Sequence, residues 1–291
     1  MPVTVLAAAA RFPAWQPHPD VWLLIALLGT GYALAIVRVG PRVAPPGRVV
    51  TRRQVACFSA GLLATWMVSD WPVHDIAEKA NYSVHMMQHL TFSLIAAPLI
   101  LLGTPGWLAR WVLGPEWLFR TVRALARFFP AVILYNVVLV VAHWPTVVDL
   151  TLHNGFYHFL AHCVIFVTAL IVWLPVLSPI PEIPRYSPPM QMVYLFLQSV
   201  VPTIPASFLT FGSAPLYHYY EHVHQLFGFS TLDDQRLAGL IMKLGGGLVL
   251  WMLITIVFFR WFAEEEGGNT PRRGRAADRE LRELQEIGMA T

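Results

Sequence analysis

Apolar runs long enough to cross a bilayer alternate with short, arginine-bearing polar segments along nearly the whole chain. A transmembrane helix needs about 20 mostly apolar residues, with a tolerated range of roughly 17–25. Seven runs meet or approach that length, at approximately 21–37, 55–69, 83–102, 129–142, 156–174, 190–209 and 236–259. The second and fourth are short. A segment in lipid must satisfy its own backbone hydrogen bonds, so each run is expected to be helical. The pattern predicts an all-α fold. Residues 1–262 form a polytopic membrane bundle of about seven transmembrane helices, and residues 263–291 form a polar cytoplasmic tail. In that tail Gly267 and Gly268 make a break, and 279–287 has the pattern of a short amphipathic helix, although a solvated tail is the simpler expectation. The first ten residues are apolar but have no basic n-region and run into Arg11, Phe12 and Pro13, so no cleavable signal peptide is expected.

Composition agrees. Of 291 residues, 56% are hydrophobic and 13% charged, and mean hydropathy is +0.55. Soluble domains carry about 25% charged residues, so lipid is the main solvent. No basic stripe interleaved with aromatics appears, which argues against a nucleic-acid partner.

The basic residues set the orientation. Eighteen of the twenty are arginine, and sixteen of those lie in one set of alternating loops and the tail, from Arg38 to Arg53, Arg110 to Arg127, at Arg185, and from Arg260 to Arg282. The opposite loops hold Arg11 and Lys79, with Arg236 at the edge of the seventh run. Basic residues in short loops stay on the cytoplasmic side. The N-terminus is therefore expected outside and the C-terminus in the cytoplasm. Six prolines between Pro175 and Pro189 predict a stiff, extended connection between the fifth and sixth runs.

Against that topology the histidines stand out. There are eleven: His18, His74, His85, His89, His143, His153, His158, His162, His218, His222 and His224. All fall in outer loops or at the outer ends of runs, a bias that the positive-inside rule does not produce. His85 and His89 are four apart at the outer start of the third run, and His158 and His162 are four apart at the outer start of the fifth. Side chains at i and i+4 share a helix face about 5–6 Å apart, so each pair can reach one metal ion. His143 and His153 lie close enough in sequence to add to that site. A lone histidine at a membrane interface ordinarily only hydrogen-bonds there, and His18 and His74 are assigned that role. Ionisable residues inside the membrane are costly and point to function, so His85, His89, His158 and His162 are the expected metal ligands, with His143 and His153 next.

Other features have simpler roles. His218, His222 and His224 stand among Tyr217, Tyr219 and Tyr220 in the longest outer loop, either as a metal-binding segment or as an interfacial helix with an aromatic belt. Asp233 or Asp234 can orient a ligating imidazole. Lys243, inside the seventh run, is expected to pair with Asp70 or Asp234 or to snorkel outward, and Gly245, Gly246 and Gly247 to permit close helix packing. Cys57 and Cys163 lie at opposite ends of their runs, too far apart for a disulfide, and Cys163 is a minor ligand candidate.

Imidazole suits zinc, copper, iron and nickel. Neither pair has the glutamate of a His-Glu-x-x-His zinc protease, which argues against hydrolase and di-iron carboxylate chemistry. Met86 and Met87 between the first pair are soft thioethers suited to cuprous copper, unless they only pack.

Three motifs carry a family resemblance: His85-Met86-Met87-Gln88-His89-Leu90 followed by Ala97-Pro98 and Gly103-Thr104-Pro105; His143-Trp144-Pro145 with Asp149, His153, His158 and His162; and Asp234-Gln235-Arg236-Leu237-Ala238-Gly239. Over roughly residues 20–260 the chain resembles the multi-spanning CtaG family of cytochrome c oxidase assembly proteins. That resemblance implies a bacterial plasma-membrane assembly factor for caa-type oxidases. Copper ion would be its cargo, with zinc, iron or haem left open as the bound species. Its partners would be oxidase subunits and soluble extracytoplasmic copper carriers. A metallochaperone rather than an enzyme is expected. The alternatives are a membrane redox metalloenzyme with a histidine-ligated copper or iron centre, and a haem protein with bis-histidine ligation.

Overall fold

The computed structural model describes residues 12–223 and 225–266. Every regular element among them is helical. The long helices are α1 (Pro19–Val43), α2 (Arg52–Ser69), α4 (Tyr82–Gly103), α7 (Phe128–Ala142), α9 (Gly155–Leu177), α10 (Pro188–Phe211) and α11 (Thr231–Glu266). Between them lie α3 (Val73–Lys79), α5 (Gly106–Val112), α6 (Glu116–Leu125) and α8 (Pro145–His153).

Length and apolarity qualify α1, α4, α9, α10 and α11 as membrane spans. A sixth appears if α6 and α7, which meet at 85°, form one broken span. α2 has the length but begins with Arg52, Arg53 and Gln54, which dilute its apolar character. Each expected run is a helix whose ends lie within a few residues of the expected ones, except that α1 and α11 each extend further at both ends. α11 continues through Ala263 to Glu266; the expected signal-free start, the rest of the tail and His224 lie outside the described residues.

Local chemistry sets the boundaries. Thr51 and Gln54 form a reciprocal capping box at the start of α2. Asn154 caps α9 by accepting from the backbone of Phe156 and Tyr157, and Ser230 caps α11 by accepting from Asp233. α9 runs through Pro175, where the sixth-run neighbour Tyr194 donates to the Val172 carbonyl at 2.8 Å and Tyr186 donates its backbone N–H to the Pro175 carbonyl. The segment after α9 is irregular, with a turn closed by Ile183 N–H on the Ile180 carbonyl, and not the continuous extended run that the prolines predict.

α4 is the centre of the bundle. Its first half packs on α11 and its second half on α2 and α9. The α2–α4 approach is close enough to require glycine: a Cβ on Gly61 would stand 2.7 Å from the Ile100 side chain and 2.9 Å from its backbone nitrogen. On α11, a Cβ at Gly245 or Gly246 would stand 3.4 or 3.3 Å from the Leu90 side chain of α4, a close approach, while Gly247 faces open space. Trp173 of α9 locks onto α4 by donating to the Ser93 carbonyl at 2.7 Å, fully buried. Outward faces carry exposed Leu23, Leu27, Val137, Leu248, Trp251 and Phe259, the surface expected where lipid is the solvent.

Two expected partners are corrected. Lys243 donates to the Thr203 hydroxyl of α10, not to Asp70 or Asp234. Asp70 instead accepts from the indoles of Trp22 and Trp66, each at 2.8 Å, which ties α1 to α2.

Candidate metal centre

His85 and His89 occupy the first two turns of α4, and what holds that helix end lies far away in the chain. The α4 N-cap, Asn81, makes no capping bond of its own. Asp234 of α11, fully buried, does the work: its carboxylate accepts from the backbone of Tyr82 at 2.6 Å, the hydroxyl of Ser83 at 2.5 Å and the amide of Asn81 at 3.1 Å. A carboxylate at a helix N-terminus satisfies its unpaired N–H groups and meets the positive end of its dipole. Asp234 therefore positions the helix that carries the histidines and contacts no imidazole directly. Asp233 is the partner of the Ser230 cap on its own helix, donating its backbone N–H to the Ser230 hydroxyl and accepting from it with its carboxylate.

With α4 and α9 packed side by side, the two i, i+4 pairs interleave. Ring centroids are 4.3 Å apart in each pair, 5.5 Å for His85–His158 and 5.2 Å for His89–His162. His158 Nε2 lies 3.1 Å from His162 Nε2. One nitrogen each of His85, His158 and His162 falls within 4.8 Å of the others, close enough for one ion after small side-chain rotations. His143, at the end of α7, continues the row 6.1 Å beyond His89, its Nδ1 held 2.7 Å from the Leu139 carbonyl. His85, His143 and His158 are buried. His85 Nδ1, His89 Nε2, His143 Nε2 and His158 Nδ1 are buried nitrogens with no hydrogen-bond partner. Buried polar atoms are ordinarily paired, so four buried nitrogens without hydrogen bonds, spread along one row, fit a set of ligands.

His153 is not brought into this row. It sits in α8 with its side chain 63% exposed, beside Asp149 and edge-on to Tyr219. His218 is likewise exposed and 3.0 Å from Glu221. The surrounding tyrosines do not form an interfacial helix. Tyr217 and Tyr220 turn inward and donate to the His143 and Ala77 carbonyls, pinning the loop onto the histidine end of the bundle. Met87 faces outward, while Met86 is buried and lines a small cavity with His89 and His143. Cys57 and Cys163 are both free.

His18 and His74, assigned above to the interface, instead extend the row. His74 is 5.4 Å from His158 and 4.9 Å from His18, and His18 is held by the buried Asp75 at 2.9 Å. Glu78 completes this end: its Oε1 is 2.8 Å from His158 Nδ1, without the alignment of a hydrogen bond, and 3.5 Å from His74 Nε2. Burial pushes the Glu78 carboxyl up, but the approach of His158, then of His74 and Lys79, outweighs it and holds the group down to about 2. Burial holds His74 below the ordinary histidine value; the Glu78 charge opposes this and the rings of His158 and His18 add to it. Glu78 was legible only as an i, i+4 partner of His74 in a seven-residue helix that carries no apolar period.

A family model described as cytochrome c oxidase caa3 assembly factor matches residues 30–264 of the chain. No curated protein and no solved structure matches it.

Proposed function

The chain belongs to the cytochrome c oxidase caa3 assembly factor family, and from that premise we propose that it binds copper through His85, His158 and His162, with His89 and His143 next in the row, and assists its insertion into the oxidase. The observation that carries the reading is the convergence of those three imidazoles within 4.8 Å, inside a row where four buried nitrogens make no hydrogen bond. Histidines at membrane depth are costly and are retained for function. All-imidazole ligation, without thiolates, suits an ion that must leave again, and it holds copper or zinc rather than magnesium or calcium. The protein acts as a carrier, not as a catalyst.

We place it in the bacterial plasma membrane with seven spans: α1, α2, α4, α7, α9, α10 and α11. In this topology the N-terminus and the histidine row face the extracytoplasmic side and the C-terminus faces the cytoplasm. Support comes from α1, where His18 precedes the first turn and Arg38 and Arg42 lie in the last ones, about 30 Å away at 1.5 Å per residue. The oxidase is the receiving partner, and soluble extracytoplasmic carriers are the proposed donors.

The test is copper content of the purified protein after anaerobic loading, beside His85→Ala/His162→Ala. Expected is loss of at least one bound ion from the variant and, in a deletion strain, loss of oxidase activity that added copper partly restores. Unchanged copper content in the variant sinks the ligand assignment.

A further inference from the structure

His158 stands between two groups of donors, one at each of its nitrogens. Nε2 faces His162 at 3.1 Å, inside the all-imidazole group described above. Nδ1 faces Glu78 at 2.8 Å. On that second side His74, Glu78 and His158 offer one nitrogen, one oxygen and one nitrogen within 4.8 Å of each other, the same closeness as the inner group. The Nδ1 that faces this side is one of the buried nitrogens with no hydrogen bond.

The outer group is also built to be held. Gln88 of α4 is fully buried; its amide nitrogen donates to the Val68 carbonyl at 2.7 Å and lies 3.1 Å from His74 Nδ1. The ring of His74 is thereby oriented with Nε2 toward Glu78. Glu78 reaches the row from a different element than either histidine pair. Access differs between the two groups. His74, Glu78 and His158, and also His162 of the inner group, line a cavity of about 620 Å³ bounded by α1, α2, α3, α4 and α9, and His85 does not. An ion arriving through this cavity meets Glu78 before it meets His85.

We infer that His74, Glu78 and His158 form a second cation site, through which a divalent ion reaches the inner imidazole group by exchanging its bond from one nitrogen of His158 to the other. This rests on the copper reading of the inner group. Two imidazoles and a carboxylate suit cupric copper or zinc, while three imidazoles accept copper in either oxidation state. The transfer moves no electron. The ion leaves Glu78 and His74 as it gains His162 and His85, and the single ring proton of His158 moves to whichever nitrogen is vacated.

The experiment titrates cupric ion into the full chain in detergent, reading bound copper per chain and the nitrogen splitting of its electron spin resonance. His85→Ala/His162→Ala removes the inner group and is expected to keep one cupric ion. Adding Glu78→Gln to that variant is expected to weaken the ion by about 10-fold or more, the scale of losing a supporting group at a metal site. Glu78→Gln alone keeps the inner ion, which also reports that the chain is folded, and takes it up more slowly than the wild type. A His85→Ala/His162→Ala protein that binds no copper while the wild type does overturns the second site and leaves the copper reading standing. So does a retained ion indifferent to Glu78→Gln. A wild-type chain that binds no copper overturns both.

Discussion

Two groups of histidines lie toward the same end of this bundle and behave oppositely. His85, His89, His158 and His162 sit on packed helices, and His85, His89 and His158 each keep one buried nitrogen without a hydrogen bond. His153 and His218 sit at the rim, 63% and 77% exposed, each beside a carboxylate of its own segment, Asp149 and Glu221. Both groups show short-range helical spacing, so spacing alone does not separate them. What separates them is whether the fold has removed every alternative partner, water included. A rim histidine satisfied by water and a neighbouring acid gains little from a metal. A buried imidazole with a bare nitrogen has already lost its water, so an ion meets a ligand that needs no further desolvation.

The strongest way to break the contrast is to loosen the packing that creates it. Asp234→Ala removes an acceptor shared by four donors at the start of α4 and is expected to cost about 3–5 kcal/mol, the scale of a broken buried polar network; denaturation in detergent measures it, with copper binding lost in parallel. His162→Ala leaves the fold in place and is expected to weaken copper by more than about 100-fold, beyond the 10–100-fold loss of an outer-shell partner, read by competition with a chelator. Gln88→Ala, which frees the His74 ring, belongs at about 10-fold in the same assay.

Acidification sharpens the comparison next. Folding lowers the value of His74 below the ordinary ~6.5, so its neutral form is favoured in the folded state. The stability it contributes is present above the ordinary value and is lost as pH falls through the depressed one. Copper binding weakens in the same direction, because protons and metal compete for imidazole. Thermal stability of the metal-free protein is therefore expected to fall below about pH 6.5, and the acid limb to be shallower in His74→Ala. The smallest effect is at the rim: His153→Ala/His218→Ala is expected to leave copper affinity within about 2-fold and stability within about 0.5 kcal/mol.

Much of the fold was legible. All seven apolar runs are helices, because about 20 consecutive apolar residues have few other ways to satisfy a backbone in lipid. The two histidine pairs were legible because i, i+4 spacing is a local property of one helix. Glu78 and His74 were not, since they join the row only through the packing of α3 against α4, which brings them to His158, and no periodicity in seven residues foretells that contact. Nor was the role of Asp234, whose partners lie some 150 residues away. His153 was grouped with the ligands by proximity in sequence, yet α8 turns it outward.

The residues by themselves determined that this chain partitions into lipid, where its helices run, and which helix faces carry paired imidazoles. These follow from transfer free energy and the 3.6-residue turn, which act within a segment. Only the tertiary structure decided that α4 and α9 touch, that their pairs interleave with His74 and Glu78, and that His153 stays outside. Those outcomes depend on the Trp173 bond from α9 to α4, a carboxylate capping a distant helix and a tyrosine-pinned loop, and each is a contact between segments that neither segment encodes alone.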